Sequence, residues 1–94
     1  MRIIWTEPAL HDLAAARAYI ARGNPLAADK QVECVLVAVT GLLRFHESGR
    51  PGRRTGTWEL VVNRTPYVVP YRIRGEVVEV LRGLHGRQRW PDRL

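Results

Sequence analysis

Thr57-Trp-Glu-Leu-Val-Val-Asn63, Tyr67-Val-Val-Pro-Tyr-Arg-Ile73 and Val77-Val-Glu-Val-Leu-Arg-Gly-Leu84 are three β-rich runs separated by very short gaps. β-branched and aromatic residues fill them, and turn formers lie between. They read as an antiparallel meander. Alternation puts Trp58, Leu60 and Val62 on one face of the first run, and Tyr67, Val69, Tyr71 and Ile73 on one face of the second. Arg74-Gly75-Glu76 is a tight hairpin turn, with Gly where φ must be positive. Pro70 falls inside a strand, where its missing N–H predicts a bulge or a position not needed for pairing. Glu59 is expected to pair with Arg72 across the strand face.

Working back from the meander, His46–Gly56 is a Gly- and Arg-rich loop. It is not a phosphate-binding P-loop, since no Gly-Lys-Ser/Thr follows and no strand precedes it. Before it, Pro25 to about Phe45 reads as a helix with Ala28, Val32, Val35, Val39 and Leu42 as its stripe. An earlier helix, reaching about Arg22, carries Leu10, Leu13, Ala14, Arg17 and Ile20 at helical spacing. Thr6 caps it, Glu7 suits its positive end and Pro8 fits its first turn. Gly23-Asn24-Pro25 closes one helix and opens the next, so the two form a hairpin. Arg2–Trp5 is a short apolar first strand. The order β-α-α-β-β-β predicts an α+β fold, a helical hairpin packed on a four-stranded antiparallel sheet. The second helix is too apolar for a simple amphipath; one face is expected to cover the sheet and another to meet the first helix or another chain.

Length and composition narrow the function. Ninety-four residues predict a single domain, 1–94. No apolar run approaches the ~18 residues of a membrane span, and no cationic-then-apolar leader is seen. The lone Cys34 cannot form an internal disulfide and reads as a buried thiol in a cytoplasmic protein. Three scattered His and one Cys lack the spacing of a metal site, and no cofactor motif is present. The net charge is +6, and Lys30 is the only lysine among fifteen basic residues. Arginine offers a planar fork for phosphate or carboxylate, so an anionic partner is expected. The tail His85-Gly-Arg-Gln-Arg-Trp-Pro91 gathers His85, Arg87 and Arg89, the best candidate constellation. Arg53 and Arg54 on the loop, and Arg72 and Arg82 in strands, are further candidate contacts for a target or nucleic acid. For each of them plain solvation is the alternative. Trp90 is expected to bury its ring and anchor the tail.

The same strings resemble the RelE/ParE superfamily of bacterial toxins from type II toxin–antitoxin modules. The likeness runs through Ile4-Trp5-Thr6, Asp12-Leu13, Asn24-Pro25, Gly49–Arg53, Trp58–Val62, Tyr67–Arg72, Val80–His85 and Arg89-Trp90-Pro91, and so spans essentially the whole chain. It implies a growth-arresting toxin neutralised by a cognate antitoxin with an acidic, helical tail, in a toxin–antitoxin hetero-oligomer. RelE-like members are metal-independent ribonucleases that cut mRNA on the ribosome; ParE-like members poison DNA gyrase. Where RelE-like strands carry two lysines and an arginine, this sequence has Glu59, Val61 and Val68, and Trp90-Pro91 stands where the terminal catalytic Tyr would be. His85 and Arg87 sit near surviving nuclease positions and would be catalytic only in a RelE-like protein. The resemblance therefore leans to ParE. A RelE-like nuclease is the alternative, and a non-toxic nucleic-acid-binding relative is the second.

Overall fold

A computed structural model describes residues 1–94. The chain runs β1 (Arg2–Trp5), α1 (Glu7–Ala21), α2 (Pro25–Thr40), a 3-10 turn (Gly41–Leu43), β2 (Arg50–Pro51), β3 (Trp58–Val61), β4 (Tyr67–Arg74), β5 (Val77–Val80) and β6 (Leu84–His85). The strands form one sheet in the order β1-β5-β4-β3-β2, with β6 pairing β4 beyond the end of β5.

Both helices start where the caps predict. Thr6 Oγ1 accepts the Ala9 amide at 3.3 Å and donates to the carbonyls of Val80 and Leu81, tying the start of α1 to the end of β5. Asn24 Oδ1 accepts the Ala27 amide at 3.1 Å and opens α2. That helix stops at Thr40, short of the expected Phe45. Gly41 there is a poor helix former, and Thr40 Oγ1 bonds back to the Leu36 carbonyl at 2.8 Å. The chain tightens into the 3-10 turn and drops Leu42 into the core.

The sheet is mixed, a departure from the all-antiparallel expectation. β1 lies parallel to β5, with Arg2 opposite Val77 and Trp5 opposite Val80, whereas β3, β4 and β5 pair antiparallel. A parallel neighbour needs a long crossover, and here everything from α1 to β4 lies between β1 and β5. Two short strands, β2 and β6, also extend the predicted meander.

The helices cover one face of the sheet. Ala9, Val35, Val39, Val62, Val69 and Val80 form one buried cluster, and Leu42, Tyr71 and Val78 form another. The predicted stripe of α2 is thus the face that meets the sheet.

Pro70 is accommodated by its neighbour. Between the pairs Tyr71–Val80 and Val68–Leu84, the segment Leu81-Arg82-Gly83 opposes only Val69-Pro70. This is a bulge carried by the partner strand. The Pro70 carbonyl accepts the Leu81 amide at 2.9 Å, and the N–H that proline lacks would fall where the ladder is interrupted.

Candidate functional site

The arginine-rich loop is pinned before it reaches Arg50, Arg53 and Arg54. Tyr71, fully buried in the sheet, donates its hydroxyl to the His46 carbonyl at 2.9 Å and accepts the Gly49 amide at 3.0 Å. A Cβ on Gly49 would lie 2.7 Å from that hydroxyl and 2.9 Å from the Glu59 carbonyl, so only glycine fits. Burial is the main cause pushing the Tyr71 phenol above its ordinary value.

Beyond Gly49 the loop closes over Glu59. That carboxylate, 3% exposed, accepts Arg50 Nε at 3.2 Å, Arg50 Nη2 at 3.1 Å and the Arg53 amide at 2.8 Å. The expected Glu59–Arg72 pair is not formed. Glu59 faces Arg50 directly across the strands, and Arg72 faces Glu79, which it binds at 3.0 Å. Directly opposed side chains are closer than diagonal ones, and that proximity decides the partners.

Loop and tail then meet. The Arg53 guanidinium lies 3.7 Å above the Trp90 ring, and Arg54 Nη2 donates to the Pro91 carbonyl at 3.5 Å. Trp90 is half-buried beneath Arg53 rather than sunk in the core, and its Nε1 is buried without a partner. Arg87, Arg89 and Arg93 are exposed and hold no ion pair.

The other candidates are dispersed. Arg82 leaves the strand at the bulge and grips Asp12 of α1 with Nε at 2.6 Å and Nη2 at 2.9 Å. Its hydrogen bond to Asp12 raises the guanidinium further above its ordinary value, against the effect of burial. Arg82 is therefore a brace between sheet and helix, not a residue of an open face. His85 pairs with Tyr67 and shares its face, with the two rings edge-on and 5.7 Å apart. Its Nδ1 accepts the Arg87 amide at 3.0 Å, while its own amide donates to Gln88 Oε1 at 2.7 Å. The ring thus organises the tail's turn. Burial first, and Tyr19 second, raise the neighbouring Tyr67 phenol. No three His, Cys, Asp or Glu side chains converge.

One surface was only half legible in the sequence. α2 and the edge of β3 bound a groove of ≈ 750 Å³, with Cys34, Val37, Ala38 and Val61 on its walls and Lys30 and Arg64 at its rim. Val37 is 64% and Val61 49% exposed. The excess apolarity of α2 was the visible signal; that Val61 faces the same space depends on the sheet's register.

The helical hairpin on a mixed sheet agrees with the RelE/ParE class of toxin that the sequence strings resemble. Residues 3–90 match the family described as the ParE toxin of type II toxin–antitoxin system, parDE. The chain belongs to that family, as the sequence strings implied. It is 44% identical to the toxin candidate Y4kP of Sinorhizobium fredii over 93 residues, 99% of this chain and 96% of that one. It is 34% identical to toxin RelE2 of Caulobacter vibrioides over 84 residues, covering 89% and 93%. A solved structure of the chromosomal ParDE toxin–antitoxin system from P. aeruginosa superposes with a TM-score of 0.80 at 30% identity, covering 90% of this chain and 95% of that one.

Proposed function

We propose that this type II toxin is a ParE-like inhibitor of DNA gyrase, working in the cytoplasm by binding rather than by cutting RNA. One observation carries the reading. The positions where a ribonuclease of this fold would clamp phosphate hold Glu59, Val61 and Val68, and Glu59 is a buried carboxylate locked by Arg50 and the Arg53 amide. A fixed negative charge opposes the charge that develops on a scissile phosphate, where preorganised donors or cations are needed. His85 Nδ1 is already occupied by a backbone amide, which removes one site for proton transfer.

The target contact in this reading runs through Arg53, Arg54, Arg87 and Arg89. Arg72 and Arg82 hold their shape through carboxylates. The antitoxin supplies an acidic, helical segment, whose apolar residues fill the groove beside Val37 and Val61 and whose acids reach Lys30 and Arg64. That the similar solved structure is of a ParDE toxin–antitoxin system supports such a partnership here. Residues 1–94 act as one toxin domain.

The test pairs two assays on the purified chain. With gyrase, supercoiling inhibition or trapped cleavage complexes are expected, and programmed ribosomes should leave mRNA intact. Cleavage of ribosome-bound mRNA that falls more than ~100-fold in His85→Ala or Arg87→Ala would overturn the reading. The nuclease alternative would then stand. Inactivity in both assays would favour the non-toxic relative.

A further inference from the structure

The arginines of the loop, sheet and tail do not scatter evenly. Arg54, Arg72 and Arg93, with Thr55 and Thr57, line a cleft of ≈ 490 Å³ whose wall also includes Asp92. A second cleft of ≈ 240 Å³ shares Arg54 and Asp92 and continues to Arg53 and Trp90. Arg54 and Arg93 are both exposed, and neither has a carboxylate partner. The bond from Arg54 Nη2 to the Pro91 carbonyl sets one guanidinium on the rim. Thr57 Oγ1 donates to the Arg54 carbonyl at 2.7 Å and fixes the turn that presents it. Arg72, with its charge shared with Glu79, is part of the same lining.

We propose that this double cleft binds the phosphodiester backbone of a nucleic acid, with Arg54 and Arg93 each contacting a phosphate and the Arg53–Trp90 stack at the far end. Guanidinium forks match phosphate oxygens, and beside Pro8, Leu81 and Leu94 the walls carry three guanidiniums and the Thr55 and Thr57 hydroxyls, more donors than the apolar pockets that anchor an amphipathic peptide hold. Such pockets lie in the α2–β3 groove, which shares no residue with this cleft. The toxin therefore separates an apolar face from a phosphate-binding face. The inference goes beyond the gyrase reading and does not require it.

Fluorescence anisotropy with a labelled DNA duplex and an RNA of the same length, between 50 and 200 mM salt, tests it without gyrase or ribosomes present. Arg54→Gln/Arg93→Gln should weaken binding at least tenfold and reduce the salt slope by about two, roughly 0.9 per lost phosphate contact on duplex DNA. Arg22→Gln/Arg44→Gln removes the same charge from exposed arginines elsewhere and should change affinity less than threefold. A preference for DNA or for RNA identifies the source of the phosphates, and either supports the site. In the wild-type chain, amide shifts on adding a short oligonucleotide should map to Arg54, Thr55, Thr57 and Arg93. Equal losses in the two double variants, shifts mapping elsewhere, or no binding at 50 mM salt would overturn the proposal. So would a net-acidic helical peptide that loses affinity through Arg54→Gln/Arg93→Gln while DNA does not.

Discussion

Tyr71 joins the sheet to the arginine loop through one oxygen, and its chemistry sets how the loop responds to pH. The folded phenol titrates above its ordinary value because burial disfavours the phenolate. The sign follows: the folded state holds the proton more tightly than the unfolded chain. Stability from this group is complete below the ordinary tyrosine value of about 10 and is lost as pH rises through the raised folded value. Urea unfolding followed from pH 8 to 11 should show that decline, and Tyr71→Phe should reduce it, with the raised Tyr67 phenol supplying the remainder. At neutral pH the same substitution leaves the Gly49 amide and His46 carbonyl without their partner, an expected loss of about 1–2 kcal/mol. Trp90 makes a second residue-scale case. Its ring is half-buried under Arg53, so Trp90→Ala is expected to cost about 2 kcal/mol in denaturant unfolding, below the range for a fully buried tryptophan. An unchanged midpoint would mean that the tail is not anchored there.

Elements were legible to the degree that their signals are local. Thr6 and Asn24 cap as their neighbours in sequence require, and the period of the α2 stripe survives in the buried Ala28, Val35, Val39 and Leu42. The end of α2 was overextended because the apolar period continues through Gly41–Leu43 after the helical hydrogen bonds tighten. The bulge at Leu81–Gly83 had only an indirect sign in Pro70. Its consequence is large, since it turns Arg82 toward Asp12, a residue 70 positions away. Arg82→Ala leaves the Asp12 carboxylate, 14% exposed, holding only the Gly83 amide. We expect a loss of about 2–3 kcal/mol, with Arg82→Lys recovering part of it because an ammonium restores the charge but not the two-pronged geometry. Thermal unfolding of both variants checks the order; equal stabilities would remove the brace from the account.

Across the whole molecule, the exposed apolar groove and the basic tail are separate surfaces with separate expected partners. Val37→Asp together with Val61→Asp should leave unfolding nearly unchanged, because both side chains are largely exposed. The same pair should weaken antitoxin binding at least tenfold in calorimetry, since each carboxylate would be desolvated against an apolar anchor and repelled by a net-acidic segment. Intact affinity would place the antitoxin elsewhere on the toxin.

The amino-acid sequence by itself determined the helical hairpin, its caps, the meander, the face of β4 that meets the core and the membership of the toxin family. These rest on periodicity, on neighbours within a few residues and on motifs kept in order. Tertiary structure alone decided that β1 joins the sheet in parallel, that Glu59 takes Arg50 and not Arg72, and that His85 faces Tyr67 while Arg53 stacks on Trp90. Those outcomes depend on strand register and on a one-residue bulge. A shift of one position exchanges the faces of every side chain that follows, and no local pattern in the chain records it.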